Sequence, residues 1–135
     1  MGDQEIMNAK RSIVESDSAP AAIGPYSQAV KAGNLLFTSG QIPVNPATKA
    51  IVDGGIQEQA HQVLKNLTAV LEASGSSLAN ALRTTCFMKD LDDFAAFNEV
   101  YASYFDSEPP ARSTVQVARL PLDVLIEIDC VALIG

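Results

Sequence analysis

Between Ile56 and Ser74 the apolar residues Ala60, Val63, Leu64, Leu67, Val70 and Leu71 recur at three- and four-residue steps, leaving Glu58, His61, Lys65 and Glu72 largely outside the stripe. That period predicts an amphipathic helix, stopped near Gly75, with one face that must be buried. A one-sided helix needs a layer to lie on, and the flanking segments supply strands. Ala81 to Lys89 alternates Leu82, Thr84, Cys86 and Met88 against Arg83, Thr85, Phe87 and Lys89, which is the two-residue repeat of a strand. Tyr26 to Val30 and Asn34 to Ser39 are two short β-prone runs whose spacing suits a hairpin with Gly33 in its turn.

The rest of the chain follows the same logic. Arg11 to Glu15 is a short β-prone run, and the prolines and glycine between Ser16 and Pro25 demand a loop. Pro43 to Gly55 is a long connection. Asp90 or Asp92 can cap a second helix that carries Phe94, Phe97, Tyr101, Tyr104 and Phe105 on a broad aromatic face, a core face first and a site second. After Pro109-Pro110, residues Arg112 to Val117 and Val124 to Leu133 read as two more strands, joined by a turn around Leu120 to Asp123. The order is ββαβαββ, an α+β arrangement with both helices on one face of the sheet. The opposite face then needs cover, and self-association supplies it most economically.

With 135 residues the chain has room for one domain, expected over 11–135 behind a frayed tail of residues 1–10. Its net charge of −7 and the absence of a Lys or Arg run longer than Lys10-Arg11 argue against nucleic-acid binding. Cys86 and Cys130 are far apart and His61 is the only histidine, so neither a zinc site nor a disulfide framework is implied. Both cysteines read as small buried hydrophobes and His61 as a partly solvated helix residue. No stretch has the length and apolarity of a membrane span, and the expected location is cytoplasmic, with an organellar matrix as the alternative.

The closing strand is where chemistry enters. Val124, Ile126, Ile128, Cys130 and Ala132 share one face, and Leu125, Glu127, Asp129, Val131 and Leu133 share the other. A carboxylate among apolar neighbours is costly to desolvate and calls for a cation, hydrogen-bond donors or a watery cleft. Arg112, opening the neighbouring expected strand, is the candidate partner. Two readings are open: an ion pair that ties strands together, or a site for an amino-acid-like ligand.

Three segments resemble the signatures of one family: Ala-Pro-Ala-Ala-Ile-Gly-Pro-Tyr-Ser-Gln-Ala at 19–29, Thr-Ser-Gly-Gln-Ile-Pro at 38–43, and Pro-Ala-Arg-Ser-Thr-Val-Gln-Val-Ala-Arg-Leu-Pro at 110–121. They are similar to the RidA (YjgF) family of reactive intermediate deaminases, and the likeness runs from about Ser16 to the C-terminus. The resemblance implies a chorismate-mutase-like fold, a barrel-like homotrimer and clefts at its subunit interfaces. It also implies hydrolysis of enamines and imines such as 2-aminoacrylate, 2-iminobutanoate and 2-iminopropanoate to 2-oxo acids and ammonia, with no cofactor or metal.

Carried over motif by motif, the family's carboxylate-binding arginine falls on Arg112 and its last-strand glutamate on Glu127, the two implied catalytic residues. Tyr26, Ser39, Gly40 and Asn98 fall on implied substrate-binding positions. Thr114 stands where many bacterial members carry cysteine, and Leu122 and Leu125 stand where lysines are common. A thiol switch at residue 114 is thereby absent, and the cleft is less basic. Two other functions fit the resemblance: a non-catalytic small-molecule-binding or chaperone-like trimer, and an endoribonuclease that inhibits translation.

Overall fold

A computed structural model describes residues 10–105 and 107–135. The expected tail of residues 1–10 lies, but for Lys10, outside the described residues. Six strands, β1 (Arg11–Val14), β2 (Ala29–Ala32), β3 (Leu35–Thr38), β4 (Ala81–Met88), β5 (Ala111–Gln116) and β6 (Ile126–Leu133), form one sheet in the order β1-β2-β3-β6-β4-β5. All neighbours are antiparallel except β4 and β5, which are parallel, so the sheet is mixed. The helices α1 (Ile56–Ala73) and α2 (Phe94–Tyr104) pack on one of its faces.

The run at Arg11–Val14, left outside the expected ββαβαββ order, adds an edge strand by pairing with β2. The expected strand beginning at Tyr26 starts instead at Ala29. The reason is local: Gln28 is buried and turned inward. Its Oε1 accepts from Ser16 N at 2.6 Å, while Nε2 donates to the carbonyls of Ser16 at 3.1 Å and Pro20 at 2.7 Å. One side chain thus satisfies loop backbone groups that the sheet cannot reach. Gln28→Ala should lower stability by about 1–3 kcal/mol, the cost of leaving such groups unpaired; unchanged urea unfolding would contradict this role.

The helix ends obey local rules. Glu58 Oε2 accepts from Gly55 N at 3.2 Å, half of a capping box. At the far end Gly75 takes φ +80 and the chain turns back through Ser76 N to Leu71 O. Asp90 caps the short turn at Leu91–Asp93, accepting from Asp92 N at 2.8 Å, rather than α2 itself, which starts after Asp93 with no side-chain cap. Between the helices and the sheet lie Val63, Leu64, Leu67 and Leu71 of α1, Phe97 of α2, and Leu36, Met88, Ile126 and Ile128 of the sheet, all fully buried. Leu82, which the alternation groups with the buried Thr84, Cys86 and Met88, is exposed, and a register shift between Ala81 and Arg83 sets it apart from them. No helix among the described residues is long and apolar enough to cross a membrane.

Within β6 the alternation read in the closing strand holds, with Ile126, Ile128, Cys130 and Ala132 buried and Glu127, Asp129 and Val131 half-buried; the strand starts two residues later than expected, and Leu125, expected on the Glu127 face, packs against the core instead. The second set shares the helix-free face with Phe37 and Leu133, both exposed, and with Phe87 and Val115 by strand register. This face is apolar and acidic together and has no cover among the described residues.

Candidate functional site

The register decides which side chains meet. Arg112 of β5 pairs with Thr84 of β4, and Thr84 is buried on the helix side with its hydroxyl 2.7 Å from Tyr101 Oη. The Arg112 guanidinium therefore lies beneath α2, 4.6 Å from the ring centre of Tyr101 and 5.3 Å from that of Phe94. It donates from Nη1 to Asn98 Oδ1 at 2.9 Å, its one hydrogen bond among the described residues. The aromatic face read from sequence thus serves the core through Phe97 and holds this cation through Phe94 and Tyr101.

Glu127 pairs with Phe87, on the opposite face of β4. Arg112 and Glu127 are consequently on opposite faces of one sheet, with β4 between their strands. The ion pair, one of the two readings open for these residues, does not form within the chain, because β5 adds to β4 rather than to β6. Burial first, and then the charge of Asp129, pushes the Glu127 carboxyl above its usual range. Asp129 is also raised by burial, with opposition from hydrogen bonding to Thr85 and the charge of Arg83. Both carboxyls thus bind protons more tightly folded than unfolded, so the stability these protons contribute is lost as pH rises from the ordinary carboxylate range through the raised values.

The structure puts the other expected residues into two groups. Asn98 and Thr114 belong with Arg112. Thr114 pairs with Cys86, and its buried hydroxyl has no hydrogen-bond partner of good geometry, although it lies near enough to the thiol to favour its ionisation slightly. Burial nevertheless pushes the Cys86 thiol up to about 11, against the pull of Arg112, and burial with Asp129 pushes Cys130 to about 12. Neither is an activated thiol.

Gly40 belongs with Glu127: a Cβ on Gly40 would meet Glu127 Oε2 and stand 2.8 Å from its Cδ. Ser39 Oγ donates to Ser27 O at 2.5 Å and Ser39 N donates to Gln28 O at 2.9 Å, tying this strand end to the loop that carries Tyr26. Tyr26 is half-exposed and, with Gly40, lines a cavity of about 480 Å³. Ile23, Ile42, Val44 and Leu122 also line it. Of these, sequence reasoning singled out only Leu122. Their common signal is weak, since scattered apolar residues in loops do not repeat at any period. His61 stays outside both groups, exposed on α1 with Nδ1 3.1 Å from Tyr104 Oη.

A mixed sheet with two helices on one face, carrying an arginine beneath aromatic rings on one side and a carboxylate against a glycine on the other, defines an α+β class of domain. The sequence profile of the Endoribonuclease L-PSP family matches residues 16–134, and the chain belongs to that family. It is 53% identical over 122 residues to a RutC family protein of Pyrococcus horikoshii, covering 90% of this chain and 97% of that one. It is 48% identical over 125 residues to the chloroplastic Reactive Intermediate Deaminase A of Arabidopsis thaliana, covering 93% of this chain and 67% of that one. The crystal structure of Escherichia coli TdcF with bound serine superposes with a TM-score of 0.88 at 47% identity, covering 92% of this chain and 99% of that one. The RidA resemblance read in the three motifs is thereby established, and with it the α+β fold.

Proposed function

We propose that this chain is a cofactor-independent enamine/imine deaminase that converts 2-iminopropanoate, the tautomer of 2-aminoacrylate, and 2-iminobutanoate into 2-oxo acids and ammonia. One observation carries the reading: a guanidinium over the rings of Phe94 and Tyr101, with a single amide as its hydrogen-bond partner among the described residues, is placed to receive a carboxylate through its remaining N–H groups. Kinship to a reactive intermediate deaminase supports it.

In this reading the protein works as a homotrimer in the cytoplasm. The uncovered face bearing Glu127 and Gly40 of one copy meets the Arg112 edge of the next, which buries Phe37, Val115 and Leu133 and joins the two groups into one cleft. Arg112, Asn98 and Thr114 then bind the substrate carboxylate from one side, while Tyr26, Ser39, Gly40 and Glu127 shape the other. The enamine first tautomerises to the imine. Water adds to the imine carbon, losing one proton to Glu127, while the nitrogen takes one from solvent; Glu127 then returns its proton to the amine nitrogen to make it a leaving group. The tetrahedral carbinolamine then expels ammonia as its hydroxyl proton leaves, and the 2-oxo acid forms. The raised affinity of Glu127 for a proton suits a group that both accepts and returns one. Because the uncatalysed reaction is already fast, orientation and charge management suffice.

The test is 2-oxo acid release from imines generated in place by an amino-acid oxidase, with and without the protein, alongside sedimentation at micromolar concentration. Faster release and a trimer mass are expected; no acceleration would overturn the deaminase reading, and a monomer mass would overturn the shared cleft. The family description favours endoribonuclease activity as a second reading. The net charge of −7 and the acidic sheet face oppose it.

A further inference from the structure

Gly40 has two neighbourhoods. Its missing side chain leaves room for Glu127, and its backbone also lines the 480 Å³ cavity bounded by the loops on either side of the β2–β3 hairpin. That volume falls in the range of small-molecule sites, yet an imino acid with a methyl or ethyl side chain would leave most of it empty. The wall beyond Gly40 is apolar where it matters for a side chain: Ile23, Ile42, Val44, Pro46 and Leu122, with Asp17 and Lys49 also contributing.

Leu122 adds an independent observation. It takes φ 55 and Asp123 takes φ 57, two consecutive residues in the left-handed region. A leucine there is strained, where asparagine or glycine would fit with less cost. It is also 69% exposed, so burial in the core does not explain it, and the core is complete without it. An apolar side chain kept in a strained backbone beside an open cavity matches a wall of a ligand pocket. Ile23, 87% exposed, stands on the same cavity.

We infer that this cavity is a side-chain subsite, and that the chain prefers 2-imino acids with large apolar side chains, of the kind formed from leucine or phenylalanine, over those with a methyl or ethyl group. The inference rests on the deaminase reading for the placement of the reacting carbon beside Glu127 and Gly40. From there the substrate side chain extends past Gly40 onto Leu122 and Ile23, with the carboxylate left to Arg112. Each added methylene that loses its water favours binding, and apolar pockets discriminate side chains by about tenfold or more in kcat/KM.

The experiment compares imines made by an oxidase from leucine and from alanine, using wild type, Leu122→Lys and Ile23→Ser. In parallel, titration calorimetry measures binding of 4-methyl-2-oxopentanoate and of pyruvate, the corresponding products. Both replaced side chains are exposed, so the variants should fold, and circular dichroism checks this. We expect the leucine-derived imine to be preferred about tenfold or more by wild type and threefold or less by Leu122→Lys, with the calorimetric order following. Equal rates and equal affinities for the two chemistries in wild type would overturn the subsite while leaving the deaminase reading standing. A tenfold tighter 4-methyl-2-oxopentanoate, lost in Leu122→Lys but without turnover of either imine, would uphold the subsite and overturn the deaminase reading.

Discussion

Replacing Arg112 with alanine should lower kcat/KM for imine hydrolysis about a thousandfold. The guanidinium offers a carboxylate two parallel charge-assisted hydrogen bonds, each contributing about 1.5–3 kcal/mol, and every 1.4 kcal/mol corresponds to a factor of ten. Phe94, Tyr101 and Asn98 hold the fork in place before substrate arrives, so the wild type orders little on binding. Arg112→Lys keeps the charge but loses the planar fork and its stacking, and should recover only about tenfold of the loss. The fold should persist in both, since β5 is an edge strand and Arg112 is half-buried. An alanine variant within threefold of wild type would remove Arg112 from substrate binding altogether.

Gly40→Ala should cost about a hundredfold in kcat while leaving the unfolding midpoint nearly unchanged. The new methyl would occupy the position of the Glu127 carboxylate, which sits at the end of a flexible side chain and can swing away at small cost to the fold. What is lost is the placement of the group that orders water, and misplacement by about 1 Å is enough for such an effect. Glu127→Gln should give a similar loss by removing the base. The double variant should lose little more than either single one, because both disable the same group. Additive losses would show that Gly40 acts through something other than Glu127. Since burial and Asp129 raise the Glu127 proton affinity, the acid limb of the wild-type rate profile should lie above the ordinary glutamate range and vanish in Glu127→Gln.

How far the sequence carried depended on the kind of signal. Both helices and the two faces of β6 are periodic or local features, and all were readable from the sequence. The edge strand β1 was visible only as a β-prone run, because whether such a run joins a sheet depends on a partner elsewhere in the chain. The same limit misplaced the start of β2: the inward turn of Gln28 depends on Ser16 and Pro20.

The candidate residues show the division most clearly. Arg112, Glu127, Tyr26, Ser39, Gly40, Asn98 and Thr114 were singled out by motif, and motifs carry chemistry. They do not carry distance. That Arg112 lies with Asn98 under α2, while Glu127 lies with Gly40 across the sheet, follows from β5 pairing in parallel with β4.

By itself, then, the sequence determined the helix periods, the strand alternation, the apolar-acidic character of one sheet face and the family, because each is written in short spacings or in ordered motifs. Only the tertiary structure decided the strand order, the separation of Arg112 from Glu127, the closeness of Gly40 to that carboxylate, and the cavity walled by Ile23, Ile42, Val44 and Leu122. These depend on contacts between residues distant along the chain, and the free energy of such contacts belongs to no single segment.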